Sequence, residues 1–232
     1  MPEPSVKVDT ELVYAMAKTD RLSHLENFIQ NTKADLQAVG DLCIREEMLE
    51  AAKIIFSRFG NYSRLATTLL KMNHFAAAID AAKKAQSVST WREVNRACVD
   101  AGEFQWASQA GQYLITQADE MEELCKFYEV RGYHEELISL LEYGIGSSRD
   151  PSSPLCTQLA VLYSKYQPEK LNQHLKLFGH SIYVQKVVKV CEENEQWNEV
   201  VLVLEKSGDK NRAAKTIMEH PENFEGDSRL RE

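Results

Sequence analysis

Five cysteines, six histidines and thirty-five carboxylates are the side chains from which this 232-residue chain could build a reaction centre. His134-Glu135-Glu136 starts like a zinc-peptidase helix, where two histidines one turn apart hold the metal and a glutamate activates water, but no second histidine follows on the next turn. The remaining histidines, at 24, 74, 174, 180 and 220, have no companion at metal-ligand spacing. Gly144-Ile145-Gly146 is half of a dinucleotide fingerprint; it follows a helical pattern where a strand is required, and Arg149 stands where the third glycine belongs. Glu122-Glu123 and Glu192-Glu193 could be drawn as acid–base pairs, yet adjacent residues on a helix point about 100° apart, so solvated charge is the simpler reading. Cys43, Cys98, Cys125, Cys156 and Cys191 are far apart, odd in number and without a Cys-x-x-Cys pair, which reads as reduced core thiols of a cytosolic protein. No enzyme, metal or cofactor is expected from these residues.

Charge narrows the partners. Thirty-five acids against twenty-seven Lys and Arg give a net charge of −8, the wrong sign for a chain that grips phosphate backbones, so no nucleic acid is expected. The first residues lack a basic stretch followed by an apolar run, and no eighteen consecutive apolar residues occur, so neither a signal peptide nor membrane insertion is expected. Asn61-Tyr62-Ser63 matches the glycosylation sequon but reads better as an Asn opening a helix. Locally, residues 117–150 carry nine acids and three bases, whereas residues 161–190 carry Lys165, Lys170, Lys176, Lys186 and Lys189 against Glu169 alone. A basic patch on an acidic chain could receive an acidic partner helix, or could be an ordinary solvated face.

The elements that position these residues follow from a repeat. Leu22, Met48, Phe75, Phe104, Tyr133 and Trp197 each follow a short polar turn and open an apolar-periodic stretch, at spacings of 26, 27, 29, 29 and 64 residues, the last being two steps of 32. A period in the range of about 20–50 residues marks stacked repeats. Tyr62, Leu65, Ala66, Leu69 and Leu70 fall on one helical face, as do Leu155, Leu159, Leu162, Tyr163 and Tyr166, and no two-residue strand period is sustained. Turns such as DAGEF (100–104) and VRGYH (130–134) are too short for anything but an antiparallel hairpin, with Gly102 and Gly132 available as left-handed caps. The spacing predicts seven helical hairpins, near 10–30, 33–58, 61–85, 89–114, 118–144, 154–178 and 181–206, then a lone helix at 209–221. GIGSSRDPSSP, residues 144–154, is read as the longest break, an inter-repeat loop. The fold class is all-α, an α-solenoid of stacked antiparallel hairpins in a single segment over residues 1–232, expected to be a rod and a fragment of a much longer chain.

VDTELVYAMAKTDRL, TWREVNRACVDAGEF, YEVRGYHEELISLLE, LAVLYSKYQPEKLNQHLKLF and the terminal MEHP resemble the clathrin heavy-chain family, in the proximal part of its leg, from about residue 3 to 221. Ser-Ser-Arg-Asp-Pro in the 144–154 loop and Phe-Gly-His at 178–180 depart from the family pattern. The resemblance implies a right-handed superhelix with a non-catalytic, structural role at lattice edges of coated pits and vesicles, on their cytosolic face. It implies two partners, the clathrin light chain and other heavy-chain legs, and an isolated segment that stays monomeric. The family places a light-chain-contacting lysine after a Leu-Tyr-Ser stretch, which maps to Lys165 after Leu162-Tyr163-Ser164. Lys186 and Lys189, three apart on one helix, are further light-chain candidates on charge alone. The alternative is a solenoid segment of a related vesicle-tethering subunit, which differs in what flanks it.

Overall fold

The computed structural model describes residues 4–224, and no strand occurs among them. The chain divides into two compact units, one up to Leu114 and one from Ile115 onward. The first holds α1 (Pro4–Lys18), α2 (Leu22–Phe28), α3 (Leu36–Arg45), α4 (Leu49–Phe59), α5 (Tyr62–Lys71), α6 (Phe75–Ala85), α7 (Val88–Asp100) and α8 (Phe104–Leu114). The second holds α9 (Ala118–Arg131), α10 (His134–Ser147), α11 (Ser153–Tyr166), α12 (Pro168–Phe178), α13 (Val184–Glu193), α14 (Trp197–Ser207) and α15 (Lys210–Glu219), closed by a 3-10 turn at Pro221–Asn223.

Each hairpin packs one helix on the next and then stacks. Odd-numbered helices lie on odd-numbered ones (α1 on α3, α5 on α7, α11 on α13) and even on even (α2 on α4, α6 on α8, α12 on α14), giving a two-layer α-solenoid within each unit. The periodicity explains which faces are sealed: Leu65, Ala66, Leu69 and Leu70 of α5 are buried, as are Ala78, Ile79 and Ala82 of α6. In α11 burial goes beyond the expected stripe. Leu155, Cys156, Thr157, Leu159, Ala160, Val161, Leu162, Tyr163 and Ser164 are all buried because α10, α12 and α13 pack around it, while Tyr166 of the stripe is 40% exposed.

Six of the seven elbows share one geometry, the exception being Gln167 between α11 and α12, whose φ is −140°. Asp20, Glu47, Asn73, Gly102, Gly132 and Glu195 all have positive φ, between 54° and 78°. In each case the next amide donates back five residues, from Arg21 to Met16, Met48 to Cys43, His74 to Leu69, Glu103 to Cys98, Tyr133 to Tyr128 and Gln196 to Cys191, at 2.8–3.1 Å. The left-handed residue lets the chain reverse while the last carbonyls of the first helix stay satisfied. Leu22, Met48, Phe75, Phe104, Tyr133 and Trp197 then sit at or next to the start of the second helix, all half-buried. Gly102 and Gly132 supply left-handed caps as the sequence suggests, and the other four of these elbows use Asp, Glu or Asn, exposed residues whose charge or amide faces solvent.

The expected break at 144–154 is shorter than eleven residues: α10 continues to Ser147 and α11 begins at Ser153, leaving 148–152 as the loop. Gly144 is there for packing, since a Cβ on it would lie 2.5 Å from Ile115 Cδ1. The sequence shows a Gly-rich stretch; only the neighbouring side chain distinguishes close approach from a turn.

Two stability tests follow from this packing. Leu140, 2% exposed, faces the core of its hairpin, so Leu140→Asp lowers unfolding free energy by about 3 kcal/mol or more. A chemical-denaturation midpoint equal to that of the parent chain contradicts the assigned face. Glu195→Gly relieves a left-handed non-glycine backbone and raises stability by roughly 0.5–1 kcal/mol after the entropy cost of glycine is deducted. A lower melting temperature in that variant means that the glutamate side chain makes a compensating contact.

Candidate protein-binding face

Several of the residues considered above for chemistry are engaged in packing or pairing. All five cysteines are buried and free. Burial pushes the Cys43 and Cys98 thiols up to about 11 and Cys125 and Cys191 up to about 12, so thiolate is scarce at neutral pH. His134 opens α10 with its ring stacked on Tyr166, centroids 3.9 Å apart. Glu122 pairs with Lys126 at 2.8 Å, and Glu192 and Glu193 reach Arg212 and Lys189, each at 3.9 Å. Asn61 caps α5, its Oδ1 accepting from the Arg64 amide at 3.1 Å, as the sequence suggested. No group of three or more His, Cys, Asp or Glu that could hold a metal occurs among the described residues. No helix among them is long and apolar enough to cross a membrane.

The basic run separates onto two layers. Lys165 lies in the last turn of α11 and Lys186 and Lys189 lie on α13, all in the odd layer, whereas Lys170 and Lys176 belong to α12 in the even layer. Lys165 Nζ is 3.3 Å from Glu129 of α9, with 41% and 21% of the two side chains exposed. Lys186 Nζ donates to Gln158 Oε1 of α11 at 3.2 Å. Lys189 is 76% exposed and touches only the edge of Glu193, at 3.9 Å. Gln158 and Lys165 are seven residues apart on α11, which is about 10 Å along the axis, so Lys165 and Lys186 occupy different levels of one ridge. Glu122 faces this ridge too: the hydrogen bond from Lys126, the charge of Lys126 and then the charge of Lys186 hold its carboxyl below the usual range. The acidic and basic stretches therefore meet as alternating charges across helices, with Lys189 the most solvated of the three candidate lysines.

A second polar cluster lies on the even layer, and sequence reasoning missed it. Glu142 Oε1 of α10 accepts from Tyr163 Oη of α11 at 2.7 Å and from Lys170 Nζ of α12 at 2.8 Å. His174, buried beneath Tyr163, lies with Nε2 2.9 Å from the Cys156 carbonyl. These side chains and Ile145, Leu159, Leu177 and Phe178 line an open cleft of about 350 Å³. A buried Tyr hydroxyl needs a partner, but nothing in the sequence says that the partner stands 21 residues earlier.

These groups predict acid sensitivity. Burial holds His174 below its ordinary 6.5, partly opposed by its bond to the Cys156 carbonyl. The unfolded chain takes up a proton there first, so stability declines as pH falls below about 6.5. Burial raises Glu142, but the hydrogen bonds from Lys170 and Tyr163 and the charge of Lys170 outweigh it and hold the group below 4.5. Its contribution is present above about 4.5 and is lost as pH falls through the lower folded value. In melting curves from pH 7 to about 3, His174→Gln flattens the upper part of the decline and Glu142→Gln the lower part. An unchanged slope in either variant assigns that part of the decline to another group.

The family Clathrin, described as a region in clathrin and VPS, matches residues 2–105 and 113–230. Clathrin heavy chain 1 of Oryza sativa is 46% identical over 215 residues, 92% of this chain and 12% of that protein. The clathrin heavy chain of Dictyostelium discoideum is 43% identical over 219 residues, 94% of this chain and 13% of that protein. Clathrin heavy chain 2 of Homo sapiens is 43% identical over 215 residues, 92% of this chain and 13% of that protein. The chain spans about an eighth of the length of these relatives. With helical hairpins stacked in two layers and both halves of the sequence matched, the chain belongs to the Clathrin family of repeats found in clathrin and VPS proteins.

Proposed function

We propose that this chain serves as a structural segment of a clathrin heavy chain, a strut whose stacked hairpins form lattice edges of coats on pits and vesicles at the cytosolic face of the membrane. One observation carries the reading: 43–46% identity to named heavy chains extends collinearly over more than nine-tenths of the chain. A shared repeat architecture alone does not require identity at that level. The segment does no chemistry; its work is to keep its shape under load and to present faces to neighbouring legs. By itself it is monomeric, because lattice contacts are many and individually weak. A VPS-type tethering subunit is the second reading, favoured by the breadth of the matching family, and it predicts no response to a clathrin light chain.

In this reading the odd-layer ridge of the second unit receives the light chain, and Lys165, Lys186 and Lys189 supply ionic contacts to its acidic helix. The ridge geometry supports a particular order among them. Lys189 is already solvated and is free to meet a carboxylate, whereas Lys165 must share its ammonium with Glu129. Exposed pairs are worth about 0–1 kcal/mol, so exchanging Glu129 for a partner's acid costs little.

Titration of the chain with a cognate light chain at low and high salt tests the proposal. Binding weakens with salt, and Lys165→Glu weakens it about tenfold at low salt, because one attraction becomes repulsion and a second acid joins Glu129. Equal affinity in Lys165→Glu removes that lysine from the interface. Absence of any light-chain binding, with the melting curve unchanged, favours the tethering reading.

A further inference from the structure

Arginine three residues before a serine or threonine is the charge pattern that arginine-directed kinases read, and it occurs at two places in this sequence, Arg64-Leu65-Ala66-Thr67 and Arg149-Asp150-Pro151-Ser152. The two sites differ completely in presentation. Arg64 and Thr67 both lie within α5, where the backbone is helical and cannot be laid out as an extended substrate. Their side chains are also engaged: Arg64 Nε pairs with Asp41 at 3.1 Å, and Thr67 Oγ1 donates to Glu93 at 3.0 Å and to the Ser63 carbonyl at 3.2 Å.

The second site occupies the loop between α10 and α11. Residues 146–150 are all exposed, and so is Ser152. Ser148 and Ser152 bracket the stretch with extended backbone, at φ −102°, ψ 139° and φ −64°, ψ 146°. Ser152 immediately precedes α11, yet its side chain makes no capping hydrogen bond, so its hydroxyl is unengaged. The residue two beyond it, Pro154, has no amide hydrogen to withdraw from the first turn of α11 when the chain is held straight. Competing hydroxyls are less suited: Ser147 Oγ donates to the Gly144 carbonyl at 3.1 Å, and Ser148 precedes Arg149.

We propose that Ser152 is a phosphorylation site, modified by an arginine-directed serine kinase with ATP as the phosphoryl donor. Arg149, exposed in the same loop, meets the acidic subsite of the kinase about 10 Å of extended chain away from the reacting hydroxyl. Ser152 Oγ attacks the γ-phosphorus of ATP, and a new O–P bond forms. The bond to the β,γ-bridging oxygen breaks, ADP departs with that electron pair, and the hydroxyl proton passes to the catalytic carboxylate of the kinase. The loop then carries about −2 additional charge at neutral pH beside the acidic stretch 117–150.

The test is incubation of the whole chain with Mg-ATP and a purified serine kinase that requires one arginine three residues before its acceptor, followed by tandem mass spectrometry. One phosphate on Ser152 is expected, with none on Thr67; Ser152→Ala abolishes incorporation and Arg149→Ala slows it at least tenfold. Circular dichroism of both variants should match the parent, since both positions lie outside the helices. Phosphate on Thr67, Ser148 or Ser153 in place of Ser152, or an unchanged rate in Arg149→Ala, overturns the proposal. So does failure of the chain to be modified, and a peptide of residues 144–158 run in parallel then tells whether the motif or its presentation was at fault.

Discussion

A pair of short antiparallel helices has more apolar surface than it can hide between its two members. In α5, Leu65, Ala66, Leu69 and Leu70 face inward, and neither α4 nor α6 alone covers them; α7 must pack there as well. Every hairpin has this surplus, and another hairpin is the element that covers it. Stacking is therefore the condition for burial, not a later assembly step. The same surplus explains why cysteines, alanines and leucines fill the inward positions of the helices. Their burial leaves the thiols protonated.

Elbows and polar clamps set the register of the stack. Six of the seven elbows hold one residue with positive φ, and at Glu195 that strain is contained by neighbours on both sides. Asn194 Nδ2 donates to Ser164 Oγ at 2.9 Å, and Gln196 Nε2 donates to the Ser164 carbonyl at 2.8 Å, so the elbow of one hairpin is tied to the helix end of the previous one. Thr157 Oγ1 accepts from the Tyr183 amide at 2.8 Å and ties the other end of the same helix to the start of α13. Apolar packing tolerates sliding by a turn. Paired buried hydrogen bonds at both ends of α11 do not, because a slip leaves several of them unmade.

Charge is arranged by the same stacking. Lys165 with Glu129 and Lys170 with Glu142 join helices of different hairpins, so the acidic and basic stretches neutralise one another locally instead of forming two fields. A protein partner on such a surface competes with internal pairs of similar strength. That keeps individual contacts weak and makes recognition depend on many of them along the chain.

The sequence alone determined the helix-only class, the hairpin spacing and the buried stripes, because each rests on short-range periodicity: Leu65 to Leu69 is one turn of helix wherever it is placed. It also determined the positions of six of the seven elbows through the polar turn and the large apolar residue after it, and not that at Gln167 between α11 and α12. It did not determine which elbow residue turns left-handed without glycine: at Glu195 that local cost is met by tertiary hydrogen bonds from Asn194 and Gln196 on either side. Nor did it show that Gly144 belongs inside a helix, which depends on Ile115 arriving from the preceding segment. For the candidate face, the sequence supplied the lysines as one basic run, and tertiary structure divided them between two layers and gave Lys165 a partner 36 residues away. Local periodicity is written along the chain, whereas the pairing of charges is fixed by which helices come to lie side by side.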